Sequence, residues 1–398
     1  MKSTNVQIGE LAHGDKGAFK IGPFGSSLKK SELVESGIPV AGIENVLPNA
    51  FTKGFRRFIT PQKFDELSDY EIRPDDVLVT TMGTIGRAAV APNELGRAII
   101  DSHLFRMRVD TKRISPQYLC YALNSDLVVA QLSRSSRGAI MDGLNTSILR
   151  ECVIPLPDLS EQRRIAGELE RADGLRRTRR YALELADTFL PAAFLQMFGN
   201  PVRNTKGWPV FEMEELASVE RGKFTPRPRN DPSYYGGKYP FIQTGDISNS
   251  GGRLSSWTQT LNEKGVSVSR CFPPGTIVIA IVGATIGVTA ILEREMYCTD
   301  SVVGIQVDES KATKEYVEFL LRFWRPVFLA QTPETARANL NLETLRPLRI
   351  PSPPLPLQTR FAELVERHER LRAVQRESLR QAEHLFQSLL HRAFKVNL

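Results

Sequence analysis

The residues that could carry out chemistry are few in this chain, and none of them completes a catalytic motif. The segment Asp231–Tyr234 (DPSY) approaches the Asp/Asn-Pro-Pro-aromatic segment with which amino-methyltransferases hold a flipped base, but its third residue is serine. No Gly-rich strand–helix turn for a nucleotide cofactor precedes it, so we interpret it as a turn. A metal-dependent nuclease needs clustered carboxylates and a lysine. Asp75 with Asp110 and Lys112 matches that need only loosely, and such a match arises easily by chance.

Nucleotide-binding loops are also missing. A phosphate-binding loop of the ATPase type ends in Gly-Lys-Ser/Thr, whereas Gly237 and Lys238 are followed by Tyr239, so ATP hydrolysis is not expected. The segment Gly83–Gly86 (GTIG) is too short for a dinucleotide fingerprint. We interpret it as a tight turn between two strands.

What remains is a set of basic, polar and aromatic loops. Phe19–Lys30 is rich in Gly, Ser and Lys, and Arg221–Lys238 carries Arg, Lys and Tyr at the matching place of the second half. Such side chains suit phosphate positioning and bidentate contact with guanine edges. Each loop alone is also explained as a solvated polar loop, but their recurrence favours a polyanionic partner. The residues predicted to face DNA are Lys20, Ser26, Ser27, Lys29, Lys30, Thr84, Arg87, Arg134, Ser135, Arg137, Lys223, Arg227, Arg229, Tyr234, Tyr235, Lys238, Thr285 and Arg337.

Composition agrees with a globular protein that has a basic surface. The 398 residues allow roughly two to three domains. Lys and Arg number 52 against 45 Asp and Glu, a net charge of +7, which favours a polyanion without proving one. No apolar run is long enough to span a bilayer. The first residues show no apolar signal region, so a cytoplasmic protein is expected.

The cysteines do not predict a disulfide framework or a metal site. Cys120, Cys152, Cys271 and Cys298 are widely separated and form no C-x-x-C pair, and the five histidines do not cluster with them. Four reduced, mostly buried thiols are therefore predicted, with no metal.

The chain is a tandem duplication of two large units. Each half reads as short strands separated by Gly and Pro, then a helical stretch, a Pro-rich exit and a long helix. Three pairs of segments match in order: Pro74–Val90 with Pro274–Leu292, Asp101–Ser102 with Asp300–Ser301, and Leu144–Pro157 with Leu340–Pro354. The sequence therefore predicts a pseudo-dimer written into one polypeptide.

Two stretches, Ser160–Met197 and Leu357–Phe394, predict long amphipathic helices. Their apolar residues recur at spacings of three, four or seven and form one narrow stripe, with Arg and Glu on the other faces. A narrow stripe suits the seam of a two-helix pair better than a deep core. For either helix alone, an unrelated surface helix remains the alternative. The residues predicted to form the seam are Ile165, Leu169, Ala172, Leu175, Ala182, Leu185, Phe189, Phe361, Leu364, Leu371, Leu385 and Leu389.

The predicted helices have a length that relates to DNA geometry. A straight helix of about 30 residues is about 45 Å long, and one turn of B-DNA is about 34–36 Å. Two antiparallel helices could thus hold two DNA-binding domains on one face of a duplex. A duplication that serves only stability is the alternative that remains open.

Several short motifs recur in a fixed order along the chain. They are Ile21–Lys30 (IGPFGSSLKK), Gly37–Val40 (GIPV), Leu78–Gly86 (LVTTMGTIG), Ile154–Pro157 (IPLP), Glu161–Ala166 (EQRRIA), Phe198–Pro201 (FGNP), Lys206–Pro209 (KGWP) and Ser388–Phe394 (SLLHRAF). In this order, and over essentially the whole chain, the sequence resembles the specificity (S) subunit of Type I restriction–modification systems. Departures are Leu357-Gln358, which replaces the Glu-Gln form in the second copy, and Pro191, late in the first helix.

The resemblance implies an α+β fold with two β-rich mixed target-recognition domains in pseudo-two-fold tandem repeat, separated by two long antiparallel, coiled-coil-like helices. We expect the domains at residues 1–157 and 199–354 and the helices at 158–198 and 355–398. It also implies a non-catalytic chain that binds double-stranded DNA, two methylation subunits and, in the full complex, restriction subunits. S-adenosylmethionine, ATP and Mg are expected on those partners, with adenine-N6 as the methylated atom.

Two alternative hypotheses for the function remain. A single-chain methyltransferase or nuclease would need a motif that the sequence lacks. A scaffold that holds a protein complex without DNA would use the same duplication, and salt-dependent DNA binding separates it from the first hypothesis.

Overall fold

The structure is a computed structural model that describes residues 4–15, 17–135, 144, 146–330 and 340–395. The chain divides into two compact units, residues 1–180 with 377–398 (the first unit) and residues 181–376 (the second unit). The boundary between them falls inside both long helices. No helix in the described part of the chain is long and apolar enough to cross a membrane.

The first unit is built on an antiparallel sheet of four strands. The unit as a whole contains the strands β1 Thr4–Gln7, β2 Phe19–Ile21, β3 Ile38–Ala41, β4 Val46–Leu47, β5 Ala50–Phe51, β6 Phe58–Ile59, β7 Val77–Thr80, β8 Ala88–Val90, β9 Ile99–Ile100, β10 Leu104–Met107 and β11 Val153–Leu156. The main sheet has the order β2-β10-β7-β8, and a second sheet has the order β6-β3-β9, with β3 parallel to β9. All residues of β7 and β10 are buried, as is typical of strands covered on both faces.

Short helices cover this sheet. They are α1 Pro61–Glu66, α2 Pro116–Leu123, α3 Asp126–Ser135 and α4 Thr146–Glu151, and the chain then enters α5 Leu159–Phe198. Helix α2 begins at Pro116 because Ser115 caps it and Pro116 occupies its first turn.

The second unit repeats this topology. Its strands are β12 Val210–Glu212, β13 Ala217–Arg221, β14 Tyr235–Ile242, β15 Arg253–Leu254, β16 Gln259–Leu261, β17 Arg270–Phe272, β18 Ile277–Ala280, β19 Thr289–Leu292, β20 Met296–Cys298, β21 Val302–Val307 and β22 Arg349–Pro351. Its helices are α6 Met213–Leu216, α7 Thr244–Asn249, α8 Glu263–Ser267, α9 Lys314–Ala330, α10 Leu342–Leu345 and α11 Leu355–Phe394. The main sheet β13-β21-β18-β19-β15 keeps the strand order of the first unit and adds β15, and the second sheet β16-β14-β20-β17 keeps that order and adds β17. The predicted duplication is confirmed.

Two turns predicted from glycine are also confirmed. Gly83 and Gly86 have φ angles of 68° and 85°, and Gly283 and Gly287 have 65° and 74°. These left-handed conformations favour glycine because a side chain would clash there.

A buried glutamine fixes the start of each long helix. The side-chain oxygen of Gln162 accepts a hydrogen bond from the Ser115 backbone N at 2.8 Å, and its amide nitrogen donates to the carbonyl oxygen of Pro157 at 2.8 Å. Gln358 accepts from the Thr313 backbone N at 2.9 Å and donates to the carbonyl oxygen of Pro353 at 2.8 Å. Leu357 in place of the usual Glu therefore leaves the glutamine contacts intact.

Within each unit the helices run antiparallel. In the first unit, the Arg176 guanidinium lies 4.1 Å from the centre of the Phe386 ring, and Arg180 pairs with Glu383 at 2.7 Å. Residue numbers thus fall along α11 as they rise along α5.

The same direction holds inside the second unit. Asp187 pairs with Arg372 at 2.6 Å, and the rings of Phe198 and Phe361 lie 5.4 Å apart between centroids. The β-rich part of each unit buries its own side chains against these helix segments. Each long helix is therefore divided between the two compact units.

The predicted seam is buried only in part. Leu169, Ala172 and Phe361 are buried, while Ile165, Ala182, Leu364 and Leu389 are half-buried. Five further side chains are exposed: Leu175, Leu185, Phe189, Leu371 and Leu385. A stripe at helical spacing identifies one face of a helix, but only the neighbouring elements decide which part of that face is covered.

Candidate nucleic-acid interface

Three connections of the second unit lie together at one end of the strands of its main sheet, which we call the functional edge. Strands β13 and β18 are both antiparallel to β21, with Arg221 paired to Val303 and Ala280 paired to Val302. The ends of β13 and β18 therefore lie beside the beginning of β21. The basic loop 222–234, the turn 281–288 and the segment 299–301 all leave the sheet there.

Glycine allows the basic loop to approach the sheet closely. A Cβ atom on Gly222 would lie 2.2 Å from the carbonyl oxygen of Thr299. At the matching place of the first unit, a Cβ atom on Gly22 would lie 2.0 Å from the carbonyl oxygen of Asp101. No other residue fits at either position without a shift of the backbone, so both loops start from a fixed point.

An aromatic cluster anchors the same loop. Phe224 is buried and its ring lies 4.9 Å from that of Phe241 and 5.8 Å from that of Tyr235, centroid to centroid. The Tyr235 hydroxyl donates a hydrogen bond to the carbonyl oxygen of Arg229. These contacts anchor the loop that carries the basic residues between Phe224 and Tyr235.

Three arginines converge on Asp300, which lies just before β21. Nη2 of Arg229 lies 2.6 Å from Oδ1 and 2.8 Å from Oδ2 of Asp300, and Nη2 of Arg227 lies 3.1 Å from Oδ2. Nε of Arg221 donates to the carbonyl oxygen of Asp300 at 2.6 Å. The cluster carries three positive charges and one negative charge at an edge that is open to solvent.

The first unit has the same edge but a different charge balance. Loops 22–30 and 81–87 leave β2 and β7 beside the start of β10. Nη2 of Arg57 lies 2.8 Å from Oδ2 of Asp101 and 3.2 Å from Oε1 of Glu44, and Nδ1 of His103 lies 3.3 Å from Asp101. Burial lowers the pKa of Arg57, but its bonds to Asp101 and Glu44 outweigh that effect and the pKa is raised. Arg57 is thus a charged, half-buried bridge between two carboxylates.

The predicted DNA-facing residues of the first unit fall into two groups. Ser26, Ser27, Lys29 and Lys30 are exposed in the loop after β2, and Arg134 is exposed near the end of α3, which closes on Ser135.

The other predicted residues of the first unit are half-buried or lie outside the described residues. Nζ of Lys20 lies 2.7 Å from Oδ2 of Asp69, and this bond lowers the pKa of Asp69. Among the described residues the buried Thr84 hydroxyl has no hydrogen-bond partner. Arg87 is half-buried, and Arg137 lies outside the described residues.

In the second unit Lys223, Arg227, Arg229 and Tyr234 lie on the basic loop 222–234, whereas Tyr235 and Lys238 lie in β14. Lys223, Arg227, Arg229 and Lys238 are exposed.

The aromatic and hydroxyl members have partners of their own. Nζ of Lys264 lies 4.2 Å from the centre of the Tyr234 ring, and Tyr235 holds the loop as described above. The Thr285 hydroxyl donates to the carbonyl oxygen of Val282 at 2.9 Å, inside its own turn. Arg337 lies outside the described residues.

Asp101 and Asp300 were not identified from the sequence as partners of arginines, and neither was the contact between the amides of Gln243 and Gln259. Asp101 and Asp300 occupy matching positions in the two halves, and that recurrence was the available signal. A cavity of about 340 Å³ beside Arg229 is lined by Gln243 and Gln259, whose side-chain amides are joined at 2.6 Å. Glutamine amides can read adenine edges, but nothing in the local sequence brings these two together.

The cysteine thiols are not activated as nucleophiles. All four cysteines are free, and all but Cys271 are buried. Burial raises the pKa of Cys120 to about 12 and that of Cys152 to about 11, so both stay protonated at neutral pH. In the part of the chain that the structure describes, no group of His, Cys, Asp and Glu could hold a metal ion.

Comparison with known proteins decides the family. The family model of the Type I restriction modification DNA specificity domain matches residues 6–184 and again residues 205–384. The chain belongs to this family. The double match coincides with the two halves of the duplication, each including the first part of a long helix.

Relatives in this family agree. The Type I restriction enzyme MjaIX specificity subunit of Methanocaldococcus jannaschii is 25% identical over 202 residues, which cover 47% of this chain and 45% of that subunit. The chain thus spans about half the length of that relative. The putative type I restriction enzyme MjaX specificity subunit of the same organism is 20% identical over 370 residues, with 87% of this chain and 84% of that subunit covered.

A solved structure shows the same fold. The Type-I restriction-modification system S subunit from M. genitalium superposes with a TM-score of 0.63 at 14% identity, covering 100% of this chain and 97% of the other. At this identity the likeness concerns the fold alone. It supports the α+β architecture with two similar domains.

Proposed function

We propose that this chain reads a bipartite, asymmetric DNA site, with the recognition domain of each unit contacting one half-site. The observation that carries the proposal is the placement of basic, hydroxyl-rich loops at the same edge of the same sheet in both units. The two loops differ in their chemistry. The first presents Ser26, Ser27, Lys29 and Lys30, whereas the second presents arginines on Asp300. Two different loops would read two different half-sites.

Partner subunits would dock on the long helices. Each unit leaves large apolar side chains exposed there, which is unusual for a surface without a partner. They are Leu175 and Leu385 in the first unit, and Tyr181, Leu185, Leu371 and Val374 in the second. We assign these faces to two methylation subunits.

The chemistry would then reside on the partners. Methylation subunits would bind S-adenosylmethionine and methylate adenine N6, and restriction subunits would use ATP and Mg. This chain would contribute recognition without catalysis, in the cytoplasm.

The test is reconstitution with and without the methylation subunits. The chain alone is expected to bind DNA weakly and to transfer no methyl group, while the complex is expected to methylate adenines in one bipartite sequence. Methyl transfer by the chain alone would contradict the proposal. A complex whose DNA affinity does not fall with rising salt would favour the scaffold hypothesis, because phosphate contacts make binding strongly salt-dependent.

A further inference from the structure

We propose that Arg227 reads a guanine in the half-site of the second unit and that Asp300, fixed by Arg229, holds Arg227 in position for that contact. This inference rests on the proposed function and names one reader within it. It concerns the second unit only.

The donors of Arg227 are divided in a way that suits a base edge. Nη1 donates to the carbonyl oxygens of Phe224 and Pro226 at 3.0 and 2.8 Å, and Nη2 donates to Oδ2 of Asp300 at 3.1 Å. A guanidinium has five N–H donors in a rigid plane. Nε has no partner among the described residues, and Nη2 makes one hydrogen bond, which leaves one of its two hydrogens unused. Nε and Nη2 share one edge of the guanidinium plane, and we assign the Nε–H and the parallel Nη2–H of that edge to the base. Two parallel donors on one edge match the O6 and N7 acceptors of guanine.

Arg229 has a different task. Its Nη2 contacts both oxygens of Asp300, at 2.6 and 2.8 Å, so the donors it would need for a bidentate base contact are already engaged. The carboxylate is thereby fixed in orientation, and the arrangement leaves Arg227 as the reader. The Arg227 side chain is 55% exposed, which keeps its free edge accessible.

Stability does not explain the cluster. Exposed ion pairs contribute little to folding because water screens them, and three arginines on one aspartate leave a net charge of 3 − 1 = +2. The matched position of the first unit makes the contrast clear. There Arg57 is enclosed by Glu44 and Asp101, for a net charge of 1 − 2 = −1. The equivalent site of the first unit therefore would not read a guanine.

The experiment uses the complete complex with its methylation subunits. The methylated sequence is first mapped with the natural protein. Each guanine of the site is then replaced, one at a time, by 7-deazaguanine, which keeps base pairing but lacks the N7 acceptor. One guanine in one half-site is expected to be sensitive, with a loss of roughly 2- to 12-fold in affinity, which corresponds to half the free energy of a bidentate base contact because O6 is retained.

Protein variants assign that guanine to its reader. Arg227→Lys keeps the charge but loses the planar fork, so it is expected to reduce the difference between guanine and 7-deazaguanine. Asp300→Asn is expected to reduce that difference. The matched control is Arg294→Gln. Arg294 is exposed and follows β19, at the end of the strands that lies opposite to the Asp300 cluster. It should leave the difference unchanged.

Two outcomes would overturn the inference. One is a mapped site in which no guanine is sensitive. The other is an Arg227→Lys complex that binds every duplex more weakly by one common factor, as loss of a phosphate contact would do. If the natural complex methylates no defined sequence at all, the proposed function itself fails, which is a separate result.

Discussion

Gln358 offers a direct test of how each long helix is attached to its recognition domain. Its side chain is fully buried, and it bonds the Thr313 backbone N and the carbonyl oxygen of Pro353. Leucine has nearly the same volume but can make neither bond. A backbone group left without a partner costs about 1–3 kcal/mol. Two such groups cost roughly 2–6 kcal/mol, and the gain from burying a more apolar side chain offsets a part of this. We expect Gln358→Leu to lower the free energy of unfolding by about 3 kcal/mol.

The assay combines urea denaturation with hydrogen–deuterium exchange. The Thr313 amide should exchange roughly 100-fold faster in Gln358→Leu, which corresponds to about 3 kcal/mol. The matched control is Gln381→Leu in the same helix, because Gln381 is exposed and its side chain bonds the exposed Glu377, at 2.9 Å. That control should change stability by less than about 0.5 kcal/mol. If both variants behave alike and the Thr313 amide stays protected, the glutamine does not fix the start of the helix.

A charged variant of the same residue adds a pH dependence. In Gln358→Glu a carboxylate would face the carbonyl oxygen of Pro353, where only a donor is accommodated. Burial and this acceptor would raise the folded pKa of the new carboxyl above about 4.3, its value in an unfolded chain. The protonated form can still donate, so the variant should be least impaired below about pH 4 and lose stability as the pH rises through the folded pKa. Denaturation at pH 5 and pH 8, compared with the natural protein, measures this, and a constant difference would refute it.

Three further predictions concern the packing of each unit. Gly222→Ala should destabilise the second unit by about 1–3 kcal/mol, because the new Cβ would lie 2.2 Å from the carbonyl oxygen of Thr299; an unchanged denaturation midpoint would contradict this close approach. Phe194→Ala should cost about 3–5 kcal/mol in the same assay, since the buried ring stacks within an aromatic cluster, and a loss below about 1 kcal/mol would show that the cluster is not a core. Cys120 and Cys152 should resist alkylation at pH 8 until the protein is unfolded, because burial raises the pKa of both thiols to about 12 and about 11; rapid labelling of the native protein, followed by mass spectrometry, would refute their burial.

Sequence was sufficient for features set by neighbours along the chain. The long helices follow from local apolar spacing, because residues three and four apart share a helix face wherever the helix lies. The turns at Gly83 and Gly283 follow from glycine itself, since the required φ angle is a property of one residue. The duplication is visible because each half repeats the same order of such local signals.

The functional edge was predictable only as a set of loops. Residues such as Lys29 and Arg229 could be selected by type, but Lys20 and Thr285 are engaged within their own units. Whether an exposed cation remains available depends on a partner that is remote in sequence. Asp69 lies 49 residues after Lys20, and no local pattern links the two.

The sequence by itself therefore determined two similar units, two long helices and a basic composition without a complete catalytic motif, because these follow from local spacing and composition. The tertiary structure alone decided that Asp300 gathers Arg227 and Arg229, that Asp101 instead encloses Arg57, and that Leu371 stays exposed while Phe361 is buried. The physical reason is that burial and ion pairing depend on distances between segments that are far apart along the chain. Those distances exist only after the strands have paired and the helices have packed.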